Sequence, residues 1–336
     1  MNFSTKHALA LLATSAIAVL GSSSAYTAES KGDIGYVGFA LNTSFLSTFA
    51  KEIEQAGTAA GFKVHLAHAD GDPSKQANAV ATLVSSGVKG ILVDPVDAKA
   101  IVPVIQRAVA KGVVVVPVDG SVAGGPIPVQ VATDNYGAGV EACNVIGKRL
   151  AGKGTALNLQ GELGNLAAQN RSKGFIDCMA KDYPNMTVVS KPFDWDSAKC
   201  AQVAQTQMST AQIDGVYAAA AQCLTPVLTV LKKQGRLKKV TEEGHVPFVV
   251  IDGTPDELNS VRDGYLTASI AQPLGEIAKY GVGYLAKALD GEKIKPGPTD
   301  HGTKIVEIDG TLRDLLAPIV VTQANVEDPA LWANKK

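Results

Sequence analysis

The chain has 336 residues, with 31 lysines and arginines against 32 aspartates and glutamates, so its formal net charge is −1. A nucleic-acid binder would carry a basic patch, and since none stands out we expect no nucleic-acid partner. Beyond a short amino-terminal segment, about 310 residues remain, more than one hydrophobic core commonly serves, so we expect two domains.

Residues 1–25 have the pattern of a secretory signal peptide. Lys6 gives a positive start, residues 8–20 form a short apolar run, and the small residues Ser23 and Ala25 precede the predicted cleavage site. The apolar run is shorter than the roughly 20 residues that a membrane span needs. We therefore expect an exported protein.

Beyond this segment, predicted strands alternate with predicted helices, and the alternation restarts near residue 134. The first series has strands at 34–40, 63–67, 90–93, 113–118 and 129–133, with helices at 44–60, 73–86 and 98–111. The second has strands at 155–159, 187–191, 215–217, 248–251 and 265–271, with helices at 136–150, 171–181, 197–210, 224–234 and 255–263. Such alternation is typical of βαβ units and parallel sheets. The sequence therefore predicts an α/β fold with two doubly wound parallel-sheet lobes.

Two polar residues end neighbouring strands of the second series. A continuous apolar run at 248–251, typical of a strand buried on both faces, stops at Asp252, and the following strand stops at Gln272. In open α/β sheets, ligands bind beyond the carboxyl ends of the strands. We therefore expect Asp252 and Gln272 to lie at a ligand site.

Four cysteines, at positions 143, 178, 200 and 223, lack C-x-x-C spacing and have no histidine at metal-binding spacing. In an exported protein this pattern favours disulfides over a metal site. Helices 136–150 and 171–181 should share one face of the second sheet, and the helices that follow should lie on the other. A disulfide across the sheet is excluded, because its Cα atoms must lie within about 7 Å. We predict the bonds Cys143–Cys178 and Cys200–Cys223.

Seven short stretches, each at a predicted strand end or helix start, occur in the order found in one known family: 42–45, 91–97, 117–119, 132–135, 170–175, 251–256 and 270–272. Through them, nearly the whole chain after the signal peptide resembles the type I periplasmic sugar-binding proteins, in particular the ribose-binding branch. The resemblance implies two lobes joined by three crossovers, with a small neutral sugar or polyol bound between them. It also implies a periplasmic receptor that delivers its ligand to the membrane permease and ATPase subunit of an ABC importer.

The resemblance also implies boundaries between the lobes. We expect the amino-terminal lobe at 30–133 and 273–303, and the carboxyl-terminal lobe at 134–272 and 304–336. Asp134, Asn135 and Pro273 would form the hinge. The stretch 310–316 is longer than a third crossover needs. We expect a monomer without a cofactor or metal.

By the same resemblance, Phe45 and Trp195 would stack on the ligand, while Asp119, Arg171, Asp252 and Gln272 would hold it by hydrogen bonds. These residue types suit a sugar, because aromatic rings cover its C–H faces and charged groups bond strongly to its hydroxyls. Further candidate ligand-binding residues are Asn42, Thr43, Ser44, Asn170 and Gln222.

Three positions depart from the ribose-binding pattern. Gly120 stands where the ribose binders carry an arginine, Leu46 where they carry an aromatic residue, and alanines occupy 218–221, the end of a second-lobe strand. We therefore expect another pentose, a hexose or a polyol as the ligand, with Gln222 or Asn170 replacing a lost contact.

Each site residue also has a structural alternative. Phe45 could be a core residue, Asp119 and Asp252 could cap helices, and Arg171 could simply pair with a carboxylate. Trp195 could pack on the surface, and Gln272 could serve the hinge alone.

The sequence also bears on whether the chain could be an enzyme, a repressor or a receptor with another ligand or role. The chain has no G-x-S-x-G, H-E-x-x-H or dinucleotide-binding motif, and at 147–154 a P-loop-like stretch ends in Gly154 instead of Ser or Thr. Asp119 and Asp252 as an acid/base pair of a glycosidase would be the enzyme alternative, but we expect no enzyme. A related repressor would need a DNA-binding helix pair in place of the signal peptide. Open alternatives are a nucleoside or a furanosyl signalling molecule as ligand, and a chemotaxis role.

Overall fold

The computed structural model describes Met1 and residues 30–335, so the predicted signal peptide, Met1 apart, lies outside the described residues. The first lobe is built on a parallel sheet whose strands follow the order β2 (Phe62–His68), β1 (Gly32–Gly38), β3 (Gly90–Val93) and β4 (Val114–Pro117). Its strands alternate with α1 (Ser44–Ala59), α2 (Pro73–Ser85) and α3 (Val102–Ala110). Helix α9 (Leu274–Leu289) returns from the end of the chain to pack on α1 and the sheet.

The second lobe has a six-stranded sheet in the order β14 (Ile319–Val321), β10 (Ala268–Ala271), β9 (Phe248–Asp252), β8 (Gly215–Ala218), β6 (Gly154–Gln160) and β7 (Met186–Pro192). All its pairings are parallel except that of β14 with β10. Its helices are α4 (Asn135–Arg149), α5 (Leu166–Asp182), α6 (Ser197–Thr210), α7 (Leu224–Lys233) and α8 (Pro255–Arg262). The predicted α/β class with two doubly wound lobes is confirmed.

A third group of strands completes the first lobe. Strand β5 (Gln130–Thr133) pairs in parallel with β13 (Thr311–Leu316), which forms a hairpin with β12 (Lys304–Ile308), and β12 pairs with the short β11 (Gly297–Pro298). Strand β5 is joined to the end of β4 by a bridge between Val118 and Val131.

The boundary predicted after residue 303 is therefore not where the pairing changes. Strand β12 pairs with β13, and β13 pairs with β5, a strand of the expected amino-terminal lobe, so the chain reaches the second sheet only at β14. The hairpin turns at Asp309 and Gly310, which have positive φ values of 51° and 72°. An Asp-Gly pair of this kind is a strong hairpin signal, and it accounts for the stretch that is too long for a simple crossover.

Two elements begin elsewhere than predicted, for local reasons. Helix α5 begins at Leu166, five residues before the predicted start at 171, because the Asn165 side chain caps it by accepting a hydrogen bond from the Ala168 N–H at 3.1 Å. Strand β10 begins at Ala268 because the N–H groups of Tyr265 and Leu266 donate to the Ser260 carbonyl of α8.

Both predicted disulfides are confirmed. Cys143 on α4 is bonded to Cys178 on α5, with their Cα atoms 6.2 Å apart, and Cys200 on α6 is bonded to Cys223 before α7, with Cα atoms 5.7 Å apart. The two bonds belong to the separate hydrophobic clusters on the two faces of the second sheet. Each disulfide therefore fixes one helical layer of the second lobe.

Candidate functional site

The six residues assigned as ligand contacts all line one cleft between the lobes: Phe45, Asp119, Arg171, Trp195, Asp252 and Gln272. Its empty volume, including solvent space at the mouth, is about 630 Å³. Of the further candidates, Asn42, Thr43 and Gln222 line the cleft. Ser44 lies in the exposed first turn of α1, and Asn170 lines a separate cavity near the hinge.

The first-lobe wall of this cleft includes Phe45, Asp94, Asp119 and Gly120. Asp94 follows β3 directly and Asp119 comes two residues after the end of β4, which places both carboxylates at the edge of the sheet where ligands bind. Asp119 has a φ of +62°, a left-handed conformation that is unfavourable for a residue other than glycine. The sequence analysis missed Asp94, although it stands at a strand end as Asp119 and Asp252 do.

The second-lobe wall consists of Arg171, Trp195, Gln222 and Asp252. The Arg171 side chain is buried, and its Nε donates to Asn135 Oδ1 at 2.7 Å while its Nη1 donates to the Ala219 carbonyl at 2.7 Å. The same Nη1 lies 3.8 Å from Asp252 Oδ1. Among the described residues no acceptor is bonded to Nη2, so the protein fixes the guanidinium plane and leaves one edge of it for a ligand.

Asp252 is tied to the crossovers between the lobes. Its Oδ2 accepts a hydrogen bond from the Ala221 N–H at 3.0 Å, and its Oδ1 accepts one from Gln272 Nε2 at 2.9 Å. Gln272 Oε1 in turn accepts a hydrogen bond from the Thr133 hydroxyl at 2.8 Å. Gln272 therefore contacts the cleft and also links two of the crossovers, which combines the two predicted roles.

The capping alternative for the two aspartates is wrong. The side chain of Thr254 caps α8 by accepting from the Glu257 N–H at 3.3 Å. The next element after Asp119 is strand β5. Neither carboxylate thus caps a helix that follows it in the chain, and Asp252 instead accepts from Ala221 at the start of the short 3-10 helix Ala221–Cys223.

Two aromatic rings flank the cleft, one from each lobe. Phe45 packs on Phe49 and, edge to face, on Trp332, with the second pair of ring centroids 6.2 Å apart. Trp195 has a φ of +58° and packs edge to face on Phe193 at 5.7 Å. The Trp332 indole donates to the Asp252 carbonyl at 3.2 Å, so the carboxyl-terminal segment supports both the ring and the carboxylate, a contact that sequence reasoning missed.

The cleft holds more buried acceptors than donors. Burial raises the pKa of Asp119 to about 6, with Arg171 opposing this shift and Asp252 adding to it. Burial raises the pKa of Asp252 as well, against the effects of Arg171 and two hydrogen bonds. Gln222 Oε1 is buried and has no partner among the described residues. A ligand that donates several hydrogen bonds would satisfy these groups.

Comparison with known proteins decides the family. The periplasmic binding protein domain family matches residues 34–293 of the chain. The chain belongs to this family. The resemblance found in the sequence is thereby confirmed.

Among curated relatives, the ribose import binding protein of Escherichia coli (strain K12) is 28% identical over 84% of this chain and 92% of its own length. The xylitol-binding protein of Mycolicibacterium smegmatis is 32% identical over 68% of this chain and 64% of its own length.

Solved structures agree on the fold. A solute-binding protein of an ABC transporter from Bacillus halodurans, with bound myo-inositol, has a TM-score of 0.77 at 20% identity, covering 90% of this chain and 98% of that one. The binding protein of the arabinose ABC transporter from Shewanella sp. ANA-3 has a TM-score of 0.76 at 19% identity, covering 90% and 96%.

The described residues contain neither a membrane-spanning helix nor a metal-binding group of side chains. No helix among them is long and apolar enough to cross a bilayer. No group of three or more His, Cys, Asp or Glu side chains in that part of the chain is placed to hold a metal ion.

Proposed function

We propose that the protein is the periplasmic binding component of a carbohydrate ABC importer. It takes a small neutral sugar or polyol between its lobes and delivers it to a membrane permease with its ATPase subunit. The observation that carries this proposal is the single cleft to which both lobes contribute an aromatic ring and polar side chains. Family membership and the sugar- and polyol-binding relatives support the same function.

The chemistry of the cleft suits a polyhydroxy ligand. Phe45 and Trp195 offer apolar surfaces for C–H groups, while Asp119, Arg171 and Asp252 offer charge-assisted hydrogen bonds to hydroxyls. Several such bonds, each contributing roughly 0.5–3 kcal/mol, would give a micromolar dissociation constant, which corresponds to a binding free energy of about −8 kcal/mol. Leu46 and Gly120 stand where the ribose binders carry an aromatic residue and an arginine. The ligand would therefore be a compound other than ribose.

The lobe division that we propose follows the strand pairing. The amino-terminal lobe comprises residues 30–133 and 273–316, and the carboxyl-terminal lobe comprises 134–272 and 319–335. Asp134, Asn135 and Pro273 form the hinge with the segment 317–318. The protein acts as a monomer after removal of its signal peptide.

Calorimetry with D-ribose, xylitol, D-allose, L-arabinose, myo-inositol and a nucleoside tests the proposal. We expect at least one neutral sugar or polyol to bind with one site per chain and to be recovered unchanged. Binding of the nucleoside alone would favour the alternative ligand class. Conversion of the bound compound would favour an enzyme that uses Asp119 and Asp252.

A further inference from the structure

Asp94 is held in the cleft by a rigid loop. Gln76 on α2 is almost fully buried, and its Nε2 donates to the Asp94 carbonyl at 2.7 Å, while its Oε1 accepts from the Val96 N–H at 3.0 Å. The Asp94 N–H donates to the Val37 carbonyl of β1 at 3.0 Å. The backbone on both sides of Pro95 is therefore fixed, and the Asp94 carboxylate, from a residue only 3% exposed, is delivered to the cleft with little freedom.

The position of Asp94 depends on a glycine at 120. The Gly120 N–H donates to Asp94 Oδ1 at 3.2 Å. A Cβ atom on Gly120 would lie 2.8 Å from that oxygen and 2.9 Å from Pro95 Cδ, closer than real Cβ atoms approach other heavy atoms. Any other residue at 120 would displace the carboxylate, so Asp94 and Gly120 act as one unit.

This unit gives its end of the cleft an acidic character. Asp94, Asp119 and Asp252 line the same cleft as Arg171, the only arginine or lysine among the lining residues. Arg171 is bonded to groups of the second lobe and acts on Asp94 only through its charge. Burial and the nearby Asp119 charge raise the pKa of Asp94 well above its usual range, against the Gly120 and Phe39 N–H groups and the Arg171 charge, so its ionised form needs further donors from a ligand.

We propose that Asp94 and Gly120 form a specificity subsite that accepts hydroxyl donors of an uncharged polyhydroxy ligand and rejects a ligand with a carboxylate at that end. Hydroxyls that donate to the Asp94 carboxylate stabilise its ionised form, whereas a ligand carboxylate brings no donor and adds a negative charge beside Asp94 and Asp119. The inference rests on the proposed function and adds to it the discrimination between neutral and acidic sugars.

Calorimetry on the full mature chain tests the subsite with D-ribose, xylitol and D-allose, each paired with its aldonate: ribonate, xylonate and allonate. For the neutral probe that binds most tightly, we expect a preference of about 100-fold or more over its aldonate. The Asp94→Asn change keeps the size of the side chain and removes its charge. It should weaken the neutral probe about tenfold and reduce the preference about tenfold.

Two further variants make the result decisive. Asp33→Asn removes the same charge from the opposite, half-exposed end of the first sheet and should change both values less than about twofold. Gly120→Ala displaces the Asp94 carboxylate without removing it, so it should weaken the neutral probe as Asp94→Asn does. It also serves as the test if Asp94→Asn does not fold.

Three outcomes would contradict the proposal in distinguishable ways. A folded Asp94→Asn or Gly120→Ala protein with unchanged affinity and unchanged preference would remove the pair from the site. An equal loss in Asp33→Asn would assign the effect to net charge. A wild-type protein that binds neither these three neutral probes nor L-arabinose nor myo-inositol would overturn the proposed function itself.

Discussion

On the second-lobe wall, Arg171 donates hydrogen bonds to Asn135 and to the backbone, and Asp252 accepts them from Gln272 and from the backbone. On the first-lobe wall, by contrast, no donor among the described residues is bonded to the Asp119 carboxylate. One wall is thus assembled by the protein before any ligand arrives. The other presents the Asp119 carboxylate, whose hydrogen bonds remain to be made. A ligand would therefore meet a rigid template on one side and satisfy unmet acceptors on the other.

The same contrast extends to the lobes behind the walls. Both disulfides lie in the second lobe, one on each face of its sheet. The first lobe contains no cysteine among its described residues, and relies on packing, with α9 and Trp332 brought in from the end of the chain. The difference implies that the second lobe can be weakened selectively.

The largest expected effect is the loss of a disulfide. A Cys143→Ala/Cys178→Ala protein should lose about 3–4 kcal/mol of unfolding free energy in the loop-entropy model, because the unfolded chain is no longer closed over a sequence separation of 35 residues. Denaturant unfolding gives the magnitude, and hydrogen exchange shows where protection is lost. We expect the loss in α4 and α5. Equal loss in the first lobe would show that the two lobes unfold as one unit.

Next in size is Arg171→Lys. A lysine cannot reproduce the two bonds to Asn135 and Ala219 together with a free donor edge, because its ammonium is a point charge on a flexible stem. Ligand affinity should fall by about 1.5–3 kcal/mol in calorimetry. Lys173→Ala, which removes an exposed ion pair with Asp177 on the same helix, is the control and should leave affinity nearly unchanged. Wild-type affinity in folded Arg171→Lys would remove Arg171 from the site.

Sequence reasoning found the parts of this contrast that depend on strand ends. Asp252 and Gln272 were placed by the rule that ligands meet the carboxyl ends of parallel strands, and Asp119, assigned through the family resemblance, obeys the same rule. Asp94 obeys the same rule. It was still overlooked, because it lies in the stretch 91–97, which supported the family resemblance but was assigned no ligand contact.

Other features depend on contacts between distant parts of the chain. Trp332 reaches the carbonyl of a residue 80 positions away, and no local pattern reports such a contact. Asn170 was a candidate because it precedes Arg171, but adjacent residues on a helix point about 100° apart, and Asn170 lines another cavity. The hairpin at 304–316 did carry a local signal, the Asp-Gly turn, which was not used.

A smaller effect should follow from pH at the first-lobe wall. The pKa of Asp119 in the folded, unliganded protein is about 6, above the unfolded value of about 3.9. The folded state therefore binds this proton more tightly, and stability without ligand should fall as pH rises from about 4 to about 6 and then level off. Burial and the Asp252 charge raise this pKa, the Arg171 charge opposes them, and Asp94 lines the same cleft.

Ligand binding should show the opposite dependence on pH. Hydroxyls that donate to Asp119 favour its ionised form, so affinity should rise about tenfold between roughly pH 5 and pH 7. Calorimetry at several pH values measures the slope, and Asp119→Asn should flatten it near pH 6. A slope that persists in folded Asp119→Asn would assign the titration to another carboxylate of the cleft.

The smallest effect concerns the link between the template wall and the hinge. Thr133→Val removes the hydroxyl that donates to Gln272 Oε1, while the shape of the side chain is kept. Because Gln272 also holds Asp252, the closed form should lose about 1 kcal/mol relative to an open one, and affinity should fall about fivefold.

Small-angle scattering should show a smaller radius of gyration in the wild-type protein when the tightest ligand is added, since the site residues come from both lobes. The variant should reach the same compact form at a higher ligand concentration, because only the equilibrium has changed. Thr303→Val, which removes a half-buried hydroxyl that donates to Asp314 and does not contact Gln272, controls for the loss of a hydroxyl hydrogen bond in general. If the radius of gyration does not change with ligand in either protein, the lobes do not close around the site, and the hydrogen bonds at the crossovers only stabilise the fold.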